Sequence, residues 1–148
     1  MSEKSFTQTI IVNESQTASQ FGSGLLPVFA TPALIALMEN TAMQLIELPE
    51  GSSSVGISIN MQHLKANLVG SAVYCKATIT AIEGRKYSFY ITATNENGDL
   101  LGECIHERMV INVEKFMSKA MTPNPLTSPQ ASPNMEREEK GLKDLAEI

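Results

Sequence analysis

Apolar residues recur with helical spacing through Thr31-Pro32-Ala33-Leu34-Ile35-Ala36-Leu37-Met38-Glu39 and on to about Leu48. Thr31 as N-cap with Pro32 at the first helical position predicts the start, and Pro49-Glu50-Gly51 predicts the stop. Asn40, Gln44 and Glu47, spaced by four and three, mark a solvated stripe. The remaining surface is apolar, which predicts a helix wrapped by other structure rather than laid on one surface.

Elsewhere the period changes to two. A first strand is expected over Phe6 to Val12, and another over Ser53 to His63, where Val55, Ile57, Ile59 and Met61 alternate with polar residues and His63 continues the apolar phase. Ser71 to Ile82 and Lys86 to Thr94 follow, joined by a Glu83-Gly84-Arg85 hairpin turn. Asn97-Gly98 turns into a last strand, Leu100 to Val113, whose alternation falters near Glu103 to Arg108 and suggests a bulge. The order β-α-β-β-β-β predicts an α+β domain, a mainly antiparallel sheet with one long helix on a face.

Glu39 breaks the helical pattern. Its neighbours three and four residues away are Ile35, Ala36, Ala42 and Met43, and the solvated stripe lies about 100° off. An inward carboxylate must be paired or give up its charge, and one held beside a cleft is a candidate general base. The bland alternative is a buried ion pair, with Arg85 or Arg108 as partner.

Composition narrows the function. The 148 residues, 43% hydrophobic, suit one domain with an ample core. A net charge of -5 leaves no basic footprint, which argues against nucleic acid and anionic membrane as partners. Met1-Ser2-Glu3-Lys4-Ser5 opens no apolar leader, so the chain is expected in the cytoplasm. Cys75 and Cys104 lack CxxC spacing and fall in strands, as packed free thiols would. No metal-ligand spacing or glycine-rich phosphate cradle appears, and no cofactor is called for. Residues 122–148, with Pro123, Pro125, Pro129 and Pro133 at their start, are expected to form a flexible tail behind a domain of residues 1–121, with Met135 to Ile148 able to form a short helix on docking.

Phe29-Ala30-Thr31, Leu37-Met38-Glu39, Ser54-Val55-Gly56, His63, Glu83-Gly84-Arg85, His106-Glu107-Arg108 and Val113-Glu114-Lys115-Phe116 together resemble the fluoroacetyl-CoA thioesterase-like branch of hotdog-fold proteins, over roughly Phe21 to Phe116. The resemblance implies acyl-CoA thioester hydrolysis, a catalytic Thr, Glu and His at Thr31, Glu39 and His63, a glycine beside the acyl group at Gly56, and a homodimer, or an oligomer built on one, with sites at the subunit interface. One departure stands out. In place of a phenylalanine-bearing lid this chain has Gly22-Ser23-Gly24-Leu25-Leu26-Pro27-Val28, which argues against fluoroacetyl selectivity.

The residues also admit plainer roles. Thr31 could be only a helix cap, His63 only a core histidine, and His106 with Arg108 either a solvated or dimer-contact patch or a CoA phosphate site. Leu25, Leu26, Phe29 and Met61 are candidates for the acyl pocket or for ordinary core. Eight residues of straight helix set Thr31 and Glu39 about 12 Å apart along the axis, so a shared site needs a bent first turn, a bridging substrate and water, or a second subunit. Thioester hydrolysis by water is the leading expectation. An acyl-CoA-binding or sensing protein and an acyl-thioester hydratase or dehydratase are the rivals.

Overall fold

The computed structural model describes residues 4–123. Five strands, β1 (Ser5–Ile11), β2 (Ser52–His63), β3 (Ala72–Glu83), β4 (Lys86–Thr94) and β5 (Leu100–Asn112), form one antiparallel sheet in the order β1-β3-β4-β5-β2. A short helix α1 (Ala18–Phe21) precedes the long α2 (Thr31–Met43), and α3 (Val113–Met121) follows β5. The chain starts at one edge, crosses a sheet face as α2, lays β2 on the far edge and returns to pair β3 with β1. The α+β expectation holds. The predicted tail and its docking helix lie outside the described residues.

Helix α2 buries Ala33, Leu34, Leu37, Met38, Thr41 and Ala42 against the sheet, the two-row pattern of a helix packed on one surface. Within the single chain Ala36 and Asn40 on its far side are exposed. It packs tightly over Gly102, where an added Cβ would meet Leu34 Cδ2 at 3.0 Å and Met38 Cε at 3.6 Å. The helix also ends at Met43 rather than Leu48: Leu45 and Ile46 sustain the apolar period by burying from a turn in which their N–H groups bond Ala42 and Met43 carbonyls. At the other end Ala30 is the cap residue and Thr31 already lies inside the helix, so its hydroxyl does not cap. It points to β2 instead.

Pairing through β4 and β5 is regular from Lys86–Met109 to Ala93–Gly102, so no bulge lies at Glu103 to Arg108. The irregularity is in β2, where Gly56 pairs with Arg108 but Ser58 already pairs with Glu107, leaving Ile57 as an extra residue. A one-residue slip reverses the faces. Below it Ile59, Met61 and His63 share the helix side with Cys104 and His106; above it Ser54 and Gly56, not Val55 and Ile57, take that side opposite Val110 and Arg108. The faltering alternation of β5 is chemical, because Cys104, His106 and Arg108 are in phase and all buried while Ile105 faces out.

Candidate active site

Helix α2 and edge strand β2 run in opposite directions, and one stripe of the helix, Thr31, Ile35 and Glu39, faces the strand. At the N-terminal end Thr31 Oγ1 lies 2.8 Å from His63 Nδ1, although 32 residues separate them. His63 Nε2 is buried and has no hydrogen-bond partner among the described residues. Burial holds the ring's pKa below its ordinary value, so His63 is neutral at physiological pH. Both residues line a cleft of about 270 Å³ together with Ala18, Ser23, Val28, Phe29 and Lys65. Phe29 forms its buried wall, 1% exposed. Leu25 and Leu26 do not serve as pocket or core here, being 94% and 64% exposed. Met61 packs half-buried against the core.

Two helical turns along, Glu39 Oε2 lies 3.5 Å from Arg108 NH1, with the carboxylate side chain 39% exposed and the arginine 7%. Glu39 is thus not the inward carboxylate expected, and the ion-pair alternative is met only in part: the partner is a buried Arg108, but the carboxylate is half-exposed; Arg85 instead reaches the Val110 carbonyl. Gly56 lies directly beneath, where a Cβ would stand 2.5 Å from Glu39 Oε2. Glu39 and Gly56 do not line the Thr31–His63 cleft. In one chain the five predicted site residues thus form two groups, Thr31, His63 and Phe29 in the cleft and Glu39 with Gly56 two helical turns away.

The sequence offers Arg108 as a partner for Glu39 but gives His106 no part in this arrangement. Arg108 and His106 are 6% and 1% exposed, which overturns the solvated-patch reading. Arg108 Nε donates to Ser54 Oγ at 3.0 Å and NH2 to the Ser54 carbonyl at 3.1 Å, while NH1 lies 3.2 Å from His106 Nε2. A guanidinium only donates and the Ser58 carbonyl, 2.8 Å from His106 Nδ1, only accepts, so His106 is the neutral ring with its proton on Nδ1. Burial, reinforced by Arg108 and opposed by the Ser58 bond, lowers its pKa in agreement. The signal that could have found the pair is their phase with Cys104 along β5.

Burial pushes Cys75 up to about 11 and, with the charges of Cys75 and Glu39 adding, Cys104 up to about 12. Neither is a thiolate nucleophile at neutral pH. Among the described residues no group of three His, Cys, Asp or Glu could hold a metal ion, and no helix is long and apolar enough to cross a membrane.

Residues 12–114 match the family model for fluoroacetyl-CoA-specific thioesterase. The chain belongs to that family. It is 34% identical over 100 residues to the fluoroacetyl-CoA thioesterase of Streptantibioticus cattleyicolor, an alignment covering 66% of this chain and 71% of the relative. The solved structure of the fluoroacetyl-CoA thioesterase FlK superposes with a TM-score of 0.76 at 30% identity, over 83% of this chain and 98% of that one. At 22% identity, a hot-dog-like protein from Thermanaerovibrio acidaminovorans has the same fold, with a TM-score of 0.73 over 82% of this chain and 93% of its own. The five-stranded sheet with its helix is the hotdog fold, and the chain is a thioesterase of the fluoroacetyl-CoA-specific thioesterase family.

Proposed function

We propose that this thioesterase hydrolyses a small or medium acyl-CoA, with the acyl carbonyl bound at the Thr31–His63 pair and Glu39 activating water. The observation that carries the reading is the 2.8 Å contact between Thr31 and His63 inside the cleft. Relatives support the substrate class: the similar protein from Streptantibioticus cattleyicolor is a fluoroacetyl-CoA thioesterase, and variants of FlK have been crystallised with fluoroacetate and CoA or with acetyl-CoA. The glycine- and leucine-bearing segment 22–28, without an aromatic, favours an acyl group other than fluoroacetyl.

The chemistry follows from donors and acceptors. The first turn of a helix leaves N–H groups free of intrahelical bonds, and since Pro32 has none, Thr31 and Ala33 supply them to a developing oxyanion. With its proton on Nδ1, His63 donates to Thr31 Oγ1 and leaves the threonine hydroxyl proton for the same oxyanion. Glu39 takes a proton from water as its oxygen bonds the carbonyl carbon; collapse breaks the carbon–sulfur bond, and the proton leaves with the CoA thiol.

Glu39 and Thr31 of one continuous helix stand about 12 Å apart, so the carboxylate serving a given thioester comes from a second copy. What supports a dimer is the open edge of β2, twelve residues long, flanked by half-buried Ile35, Ile59 and Met61.

The test is thiol release from a panel of acyl-CoAs. Glu39→Gln should lower turnover at least about a hundredfold. Refolding Glu39→Gln and Thr31→Val chains together should restore about a quarter of wild-type activity, above that of either variant alone, because only half of the resulting dimers are mixed and each carries one intact site. Acyl-CoA binding without thiol release would overturn the hydrolase reading, and no recovery on mixing would overturn the shared site.

A further inference from the structure

We propose that His106 is a positioning residue for thioester hydrolysis, aiming the Arg108 guanidinium at Glu39 by accepting its NH1. The inference rests on the reading of Glu39 as the base. Arg108 has three separate holds: Ser54 Oγ takes Nε, the Ser54 carbonyl takes NH2 and His106 Nε2 takes NH1, the same nitrogen that faces Glu39 Oε2. Ser54 alone fixes one side of the planar group. His106 fixes the side that meets the carboxylate.

The ring is itself held on two sides. Its Nδ1–H donates to the carbonyl of Ser58, the residue that follows the β2 slip, and its face lies 6.1 Å from the Phe89 ring at 28°. His106 thus ties together the bulge that puts Gly56 under Glu39 and the cation that faces Glu39. An added Cβ on Gly56 would reach His106 Cε1 at 3.2 Å, so ring, glycine and carboxylate are packed as a unit. A base displaced by about an ångström loses rate far out of proportion to any loss of affinity.

Three variants separate the ring's tasks, each assayed in the full chain with kcat, KM and Tm. His106→Gln places a side-chain oxygen where Nε2 was and keeps an acceptor for Arg108; His106→Asn can still donate toward Ser58 but is too short to reach Arg108. His106→Phe keeps the stack on Phe89 and accepts nothing, and it takes the place of the asparagine variant should that one fail to fold. The expected result is a fall in kcat of about tenfold or more for Asn and Phe with KM within about twofold, and recovery to within about threefold of wild type for Gln. Wild-type kcat in Asn and Phe would overturn the proposal, as would an equal loss in all three accompanied by an equal fall in Tm. Glu39→Gln, run alongside, distinguishes the two levels: full turnover in that variant sinks the base assignment and this proposal with it, whereas its inactivity beside active His106→Asn and His106→Phe chains sinks this proposal alone.

Discussion

Gly56 lies so close beneath Glu39 that a Cβ at this position would stand 2.5 Å from the carboxylate oxygen Oε2, with Arg108 NH1 at 3.5 Å. The carboxylate is the end of a half-exposed, flexible side chain and can swing aside, while the strand backbone cannot. The buried His106 ring, 3.2 Å away, gives less freely, so Gly56→Ala should cost about 1–2 kcal/mol of stability, in the lower part of the range for overpacking. Activity should suffer more, with kcat down about tenfold or more as Glu39 leaves its place. Paired thermal melts and thiol-release kinetics check this, and a variant that melts early yet keeps full kcat would contradict it.

Thr31 lies inside the helix rather than at its cap, which makes its two possible roles separable. Thr31→Val keeps the shape and removes the hydroxyl. Had the residue been a cap, the loss would cost about 1 kcal/mol; here Tm should hardly move, while kcat falls at least about tenfold. Thr31→Ser, which keeps the hydroxyl facing His63, should retain most of the turnover. Equal activity of the valine and serine variants would remove the hydroxyl from the chemistry.

His63 and His106 are both held below their ordinary value of 6.5, burial being the main cause in each. The folded state therefore binds protons less readily than the unfolded chain. Their contribution to stability is complete above 6.5 and is lost as the pH falls below it, through the lowered folded values. Melting temperature should drop between pH 7 and 5, and the drop should be shallower in His63→Gln and in His106→Gln. An unchanged slope in both variants would assign the loss to other groups.

Strand positions were legible because burial on one sheet face writes a period of two directly into the chain, and β4 was found with the bounds Lys86–Thr94. The start of α2 was legible as well, from Thr31-Pro32. Its end was not, since Leu45 and Ile46 bury from a turn and extend the apolar period past the last helical residue. Helix α3 was not legible: Val113 reads as the end of the last strand and residues 114–121 carry no assigned element within the domain, although Asn112 caps the helix by accepting from the Lys115 N–H. The slip at Ile57 leaves no mark in an alternation that runs on unbroken from Val55 to Met61, so its reversal of faces shows only in the pairing of β2 with β5. Glu39 stood out by its surroundings in sequence, but its partner is 69 positions downstream on another element, and only the antiparallel pairing of β2 with β5 brings Arg108 beneath it.

If Thr31 and Glu39 act as proposed, mounting both on a single helical rod restricts how this enzyme can change. Deleting one residue between them would shorten their separation by about 1.5 Å and rotate the carboxylate by about 100°, off the groove altogether. Insertions here are closed to it, and so is gradual adjustment of one group without the other. On the proposed reading, divergence in acyl preference is left to the opposing strand and to Ser23 and Val28, which line the cleft and can vary while the rod stays fixed.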